Sequence, residues 1–305
     1  MPNKLSQQVE KIVEFYSKRK EVLKNAGYMG DRLAPVKYKI AILSTKGGVG
    51  KTTVTVNLAF TLKRLGYKVG ILDVDLHGPS VPKMIGAEDK KPELADTHHH
   101  GKVLYHTGIK PVEVNGVKVM SLGLFWPSSA PIEWRGPFKS RIIKDMIAST
   151  IWGNLDFLLF DMPPGSGDEV LTILTDIPPI DGIIIVTTPQ EVSTNIARKA
   201  GELARSCNVP ILGVIENMSW YICPYCGQRV NFGRNGGKIL ADVLEVPLLG
   251  RIPFNVEVMK YCDEGVPIVE VDPSNLISEE YMSIAKNIID ALRALKGGNN
   301  EQGKR

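Results

Sequence analysis

Four stretches of this chain combine residue types and spacings suited to chemistry. The densest is Lys46-Gly47-Gly48-Val49-Gly50-Lys51-Thr52-Thr53. Its glycines let backbone N–H groups point inward around an anion with no β-carbon in the way. A phosphate chain is the fitting guest. Lys51 can reach the β- and γ-phosphates, the Thr52 hydroxyl can ligate magnesium, and a helix opening near Lys51 adds the positive end of its dipole. The second stretch is LDVD, with acids Asp73 and Asp75. The third is LDFLLFDMPPGSGDE, an apolar run ending in Asp161 and followed by Pro163-Pro164-Gly165 and Asp168. A carboxylate at such a strand end, on the same edge as a phosphate loop, holds magnesium through water. The proline-glycine loop behind it has few alternative conformations, which suits a segment that switches as a γ-phosphate arrives or leaves.

The fourth stretch is Cys223-Pro224-Tyr225-Cys226-Gly227. Two thiolates two residues apart can grip one metal centre, because the turn brings both sulfurs to one side. A closed centre needs more ligands than this pair. Cys207 and Cys262 have no second such spacing and are expected as buried small residues, one in a helix and one after a strand. Two chains face to face would supply the missing thiolates. A thiol-redox pair would open a helix early in a thioredoxin-like unit, whereas this one falls in a late loop. An iron–sulfur cluster held by thiolates from two chains and a zinc site shared between chains both remain open. The run His98-His99-His100, with His106 nearby, lacks supporting carboxylate or cysteine spacing and reads as a solvated loop.

The elements that must position these groups alternate along the chain. YKIAILS before the glycine loop is a continuous apolar run, as expected of a buried parallel strand. LGYKVGILDVD and LDFLLFD repeat that pattern, as do GIIIVTT at 182–188, PILGVIE at 210–216 and PLLGRIPF at 247–254; GVKVMSLGL reads as a further strand. Helices are expected at PFKSRIIKDMIAST, at VSTNIARKAGELARS and over 278–296, where Tyr281, Ile284, Ala285, Ile288, Leu292 and Leu295 share a face. The fold class is therefore α/β, a doubly wound, mostly parallel sheet with helices on both faces. The organisation expected is an N-terminal helical extension at 1–35, a nucleotide domain at 36–296 that includes the cysteine loop at 217–237, and a disordered tail at 297–305.

Composition agrees. The chain has 305 residues, 43% hydrophobic and 23% charged, with a formal charge of +4. That is ordinary for a globular protein and too weakly basic to imply nucleic acid. No apolar run is long enough to span a membrane and the N-terminus is not signal-like, so a cytoplasmic protein without a membrane partner is expected.

The glycine loop carries Thr45 where the ordinary phosphate-loop pattern has glycine, and an extra lysine, Lys46. It resembles the deviant Walker A of the nitrogenase-iron-protein, MinD and ParA ATPases, in which that lysine reaches across a dimer to the partner's nucleotide. The ordered set KGGVGKTT, LDVDLHGPS, WRGP at 134–137, DFLLFDMPPGSGDE, IVTTPQE, ENMS, CPYCG and PLLGRIP is similar to the Mrp/ApbC family of iron–sulfur cluster carrier ATPases. The resemblance implies a P-loop NTPase of the SIMIBI kind with slow, magnesium-dependent ATP hydrolysis. It also implies a homodimer holding a labile 4Fe-4S cluster between subunits, for transfer to apo iron–sulfur acceptor proteins.

Carried over by residue, Lys46, Lys51, Asp75 and Asp161 become the catalytic set, with Asp75 orienting the attacking water. Gly47, Gly48, Val49, Gly50, Lys51, Thr52 and Thr53 hold the nucleotide together with Asn217, which reads the adenine edge, and Pro253. Cys223 and Cys226 hold the cluster and Thr52 the magnesium. PFN at 253–255 departs from the family's usual PLD, and the N-terminal cysteine cluster of eukaryotic relatives is absent. The alternative is a MinD/ParA-like ATPase switch with structural zinc at the cysteine pair. An electron donor like the nitrogenase iron protein ranks below both, because its cluster cysteines are not adjacent.

Overall fold

The structure is a computed structural model that describes residues 27–44, 46–99, 102–125, 136–165, 167–177, 179–190 and 194–302. Its strands are β1 (Val36–Ser44), β2 (Val69–Asp73), β3 (Glu93–His99), β4 (Lys102–Lys110), β5 (Val112–Val114), β6 (Val117–Ser121), β7 (Leu155–Asp161), β8 (Gly182–Thr187), β9 (Ile211–Glu216), β10 (Trp220–Ile222), β11 (Arg229–Asn231) and β12 (Leu248–Arg251). The helices are α1 (Gly27–Leu33), α2 (Lys51–Arg64), α3 (Val81–Met84), α4 (Gly136–Ser149), α5 (Asp168–Asp176), α6 (Thr194–Ser206), α7 (Gly236–Leu244), α8 (Val256–Asp263), α9 (Ile268–Val271) and α10 (Leu276–Gln302).

Eight strands form one sheet in the order β12-β9-β8-β1-β7-β2-β6-β5. Every pairing is parallel except β5 with β6. The strands β2, β7 and β8 are buried along nearly their whole length, which is why they read as unbroken apolar runs: helices cover both faces. On one face Phe60 of α2 packs with Tyr281, Ile284, Ile288 and Leu292 of α10; on the other Ile143 and Ile147 of α4 pack with Val170 and Ile173 of α5. Parallel strands all end on one edge, so the loops after β1, β2, β7, β8 and β9 gather there, and ligands bind in the crevice of such an edge. The register sets Asp73 directly beside Asp161.

Three expectations need correction. The histidine-rich segment is not a loop, because β3 and β4 pair antiparallel as a separate two-stranded ribbon. Its threonines, valine and tyrosine suit a strand, but the polar composition around them reads as a loop. The closing helix runs to Gln302, past the boundary expected at 296. Backbone hydrogen bonding propagates through Gly297-Gly298 and Asn299-Asn300, whose weak helix propensity argued for an end. Cys262 sits within α8 rather than after a strand, and it and Cys207 are half-buried rather than fully buried. Residues 1–26 of the N-terminal helical extension expected at 1–35, along with Thr45, His100, Trp134 and Arg135, lie outside the described residues.

Candidate functional site

The glycine loop joins β1 to α2. Gly50 has φ +79, in the left-handed region, and a β-carbon there would come within 2.3 Å of the Asn217 amide nitrogen. Glycine is thus required twice over, by backbone conformation and by the approach of Asn217. The Asn217 amide donates to the Val49 carbonyl at 2.8 Å, so the loop after β9 clamps the glycine loop from behind. Gly47 through Thr53 line a hollow of about 200 Å³ together with Asp75, Ser80, Met84 and Pro164.

The α2 side chains converge on Asp161, which is fully buried. Lys51 Nζ donates to Asp161 Oδ1 at 2.7 Å, Thr52 Oγ1 to Oδ2 at 2.7 Å and Thr55 Oγ1 to Oδ1 at 2.8 Å. An ammonium and two hydroxyls compensate one buried carboxylate, and buried charges need such pairing. Beside it, Asp73 accepts from Ser121 Oγ at 2.9 Å and from the backbone N–H of Asp75 at 3.1 Å. Burial, then the neighbouring Asp161 carboxylate, push Asp73 up to about 8. Two adjacent carboxylates out of water cannot both ionise readily, and the Lys51 ammonium only partly offsets the rise at Asp73. Asp75 lies further out, its Oδ1 accepting from the N–H groups of His77 at 3.3 Å and Gly78 at 3.2 Å. Lys46 is exposed and donates to Gln190 Oε1 of its own chain at 2.5 Å.

A second hollow, of about 250 Å³, adjoins the first through the shared Thr53 and Met84 and is lined by Asn217, Pro253, Phe254 and Cys262. The asparagine of PFN has a local role: Asn255 caps α8 by accepting from the Glu257 N–H at 2.7 Å. Asn217 is preceded by Glu216, a buried carboxylate that accepts from Ser219 Oγ and from the Gly237 N–H at 2.6 Å, with Arg251 Nε at 3.6 Å.

Cys223 and Cys226 cap the β10–β11 hairpin. The Gly227 N–H donates to the Cys223 carbonyl and the Cys223 N–H to the Gln228 carbonyl, both at 2.9 Å. Gly227 takes φ +68 to close the turn. The N–H groups of Cys226 and then Tyr225, followed by the Cys226 thiol, hold the Cys223 thiol below its ordinary range. N–H groups aimed at sulfur favour thiolate, the form that ligates metal. The tip is solvent-facing, with Tyr225 97% exposed, and it stands on an aromatic base. There Arg229 lies 4.1 Å over the Trp220 ring, Tyr221 stacks on Phe232 and Phe232 meets Phe254 edge-on. Among the described residues no group of three or more histidines, cysteines, aspartates or glutamates could hold a metal ion, so the pair is an incomplete ligand set.

The structure thus brings Lys51, Thr52, Asp161 and Asn217 together, with Asp75 at the rim of the hollow, and leaves Cys223 and Cys226 apart from them. Sequence reasoning missed Thr55, which lies one helical turn beyond Lys51 and could have been found by that spacing. It also missed Gln190 and Glu216, whose partners Lys46, Gly237 and Arg251 are distant in the chain and carry no local signal.

Fold and loop together define a P-loop NTPase: a parallel sheet whose first strand feeds a glycine loop, a helix and a carboxylate on the neighbouring strand. A family model described as ParA, NUBPL iron-transfer P-loop NTPase, matches residues 35–289. The iron–sulfur cluster carrier protein of Methanocaldococcus jannaschii is 46% identical over 269 residues, covering 87% of this chain and 89% of the relative. That of Saccharolobus solfataricus is 42% identical over 261 residues, 85% of each. The chain belongs to this family of iron-transfer P-loop NTPases. Among solved structures, a nucleotide-binding protein of Archaeoglobus fulgidus in complex with ADP is 35% identical, with a TM-score of 0.70 over 82% of this chain and 94% of that one. The cell division ATPase MinD of Pyrococcus furiosus, at 22% identity and a TM-score of 0.57 over 83% of this chain and 98% of its own, shares the fold. Among the described residues, no helix is long and apolar enough to cross a membrane.

Proposed function

We propose that this protein is an iron–sulfur cluster carrier that binds and hydrolyses ATP, with the cluster as cargo shared by two copies of the chain. The observation that carries this reading is the pairing of a complete phosphate site with half a thiolate site. Each chain has the full set of phosphate-binding groups and only Cys223 and Cys226 at an exposed tip. A cluster needs thiolates beyond those two, and a second copy supplies the same pair by symmetry.

The phosphates lie in the hollow formed by Gly47 to Thr53, and the base occupies the adjoining hollow against Asn217 and Pro253. The donor set fits magnesium: the Thr52 hydroxyl and the Asp161 carboxylate are hard oxygen ligands 2.7 Å apart and would hold the ion between them and the phosphates. When bound, the ion neutralises charge building on the phosphates. Lys51 turns from Asp161 toward the β- and γ-phosphates, and Asp75 orients the attacking water. Lys46 exchanges Gln190 for the nucleotide of the facing subunit, so the γ-phosphate draws the two chains together and its loss releases them. Catalysis is positioning and charge stabilisation, hence slow without a partner.

Anaerobic reconstitution with iron and sulfide tests the reading. The expected product is a brown dimer that restores activity to an apo-enzyme requiring a 4Fe-4S cluster. A colourless dimer that retains zinc and transfers nothing would favour the ATPase switch instead.

A further inference from the structure

Beyond the phosphate hollow, side chains from three elements meet at one point. His77 follows β2, Lys139 lies in the first turn of α4, and Glu169 lies in the first turn of α5. Lys139 Nζ stands 2.8 Å from Glu169 Oε1 and 2.5 Å from His77 Nε2, and His77 Nε2 is 3.8 Å from the same carboxylate oxygen. Lys139 is 16% exposed and Glu169 9%, whereas His77 is 55% exposed. The ion pair is therefore mostly withdrawn from water and grips a histidine at the surface. Burial alone would raise Glu169, but the hydrogen bond from Lys139, its own N–H, the Lys139 charge and the nearby His77 ring hold it below the ordinary carboxylate range.

The surroundings are built for this contact. Thr172 Oγ1 donates to Ser140 Oγ at 2.8 Å, joining α4 to α5 one turn away. A β-carbon at Gly167 would come within 2.9 Å of Glu169 Oε2, so glycine there leaves room for the carboxylate. The backbone N–H groups of His77 and Gly78 are the two that bind Asp75 Oδ1.

We propose that Lys139 and Glu169 form a clasp that positions Asp75 for hydrolysis. By holding the His77 ring, the clasp fixes the 77–78 turn whose N–H groups orient the Asp75 carboxylate, and it ties that turn to the helix following the Asp161 strand. Lys139, Glu169 and His77 are positioning residues, since none of them lines the phosphate hollow. The inference rests on the reading above that Asp75 orients the attacking water during ATP hydrolysis.

Steady-state ATPase measurements on the full chain, resolved into kcat and KM, test it. Lys139→Met should lower kcat about tenfold or more, because a small misplacement of a catalytic group costs that much. KM for ATP and affinity for ADP should stay within about twofold, since the phosphate contacts are untouched. Lys139→Arg should restore most of the rate, its guanidinium being able to donate to both partners. His77→Ala should lose a similar amount, and the double variant Lys139→Met/His77→Ala no more than the worse single, as for residues acting as one unit. An unchanged kcat in Lys139→Met, multiplicative losses in the double variant, or a KM that rises in step with the fall in kcat would each overturn the clasp. Wild-type protein that binds ATP without hydrolysing it would instead overturn the ATPase reading, and the clasp with it.

Discussion

The glycine loop and the cysteine hairpin differ in how far one chain completes them. Around the buried Asp161 carboxylate every partner is in place: Lys51, Thr52 and Thr55 meet it within 2.8 Å, and Asn217 secures the loop from behind. At the hairpin the two thiols stand at a solvent-facing tip with no third ligand among the described residues. Buried charge must be satisfied within the fold or the fold fails, whereas an exposed thiol is left open at little cost. In the function proposed above, that difference corresponds to nucleotide binding by the single chain and metal binding by an assembly.

Substituting both Cys223 and Cys226 with alanine separates the two regions most sharply. Cluster reconstitution should be abolished, read as loss of the iron–sulfur absorbance, while ADP affinity by calorimetry stays unchanged; a fall in nucleotide affinity would show that the regions are one site. Lys46→Ala probes the proposed contact from the loop to a second chain and should reduce hydrolysis about 100-fold, by analogy with trans-acting cations. ATP binding should survive, and collapse of affinity would make Lys46 a binding residue of its own chain.

Glu216 sits at the joint, between Asn217 of one region and Ser219, which leads into the hairpin of the other. Glu216→Ala leaves the Gly237 N–H and Arg251 without their buried carboxylate and should cost about 3 kcal/mol in denaturant unfolding. An unaltered midpoint would mean the joint is held by backbone alone.

The last effect, which depends on pH, concerns Asp73. Its folded value of about 8 exceeds the ordinary 3.8, so the folded state binds the proton more tightly than the unfolded one. The stabilisation this gives is complete below about pH 4 and is lost as the pH rises through 8. In nucleotide- and metal-free protein, Asp73→Asn should therefore gain stability relative to wild type between about pH 5 and 8, measured as the difference in thermal midpoint. A difference independent of pH would place the charge of that carboxylate pair elsewhere.

The parallel strands were legible because burial on both faces turns β2, β7 and β8 into unbroken apolar runs, and the loop was legible because phosphate chemistry requires glycines and a lysine at fixed spacing. The β3–β4 ribbon was not, since its polar residues alternate with aliphatic ones too weakly to outweigh a loop composition. The three-residue strands that raise the cysteines on a hairpin are too short to carry a period. Asp73 is visible in the sequence, but only its burial in register with Asp161 raises its carboxyl. Partners such as Gln190 for Lys46 and Lys139 for Glu169 follow from tertiary approach, which spacing does not encode.

The claim that one chain is complete for nucleotide and half complete for metal is tested most directly by native mass spectrometry of anaerobically reconstituted protein. The account predicts ADP on single chains, and a cluster of about four irons only on species containing two chains. A single chain carrying an intact cluster would contradict it.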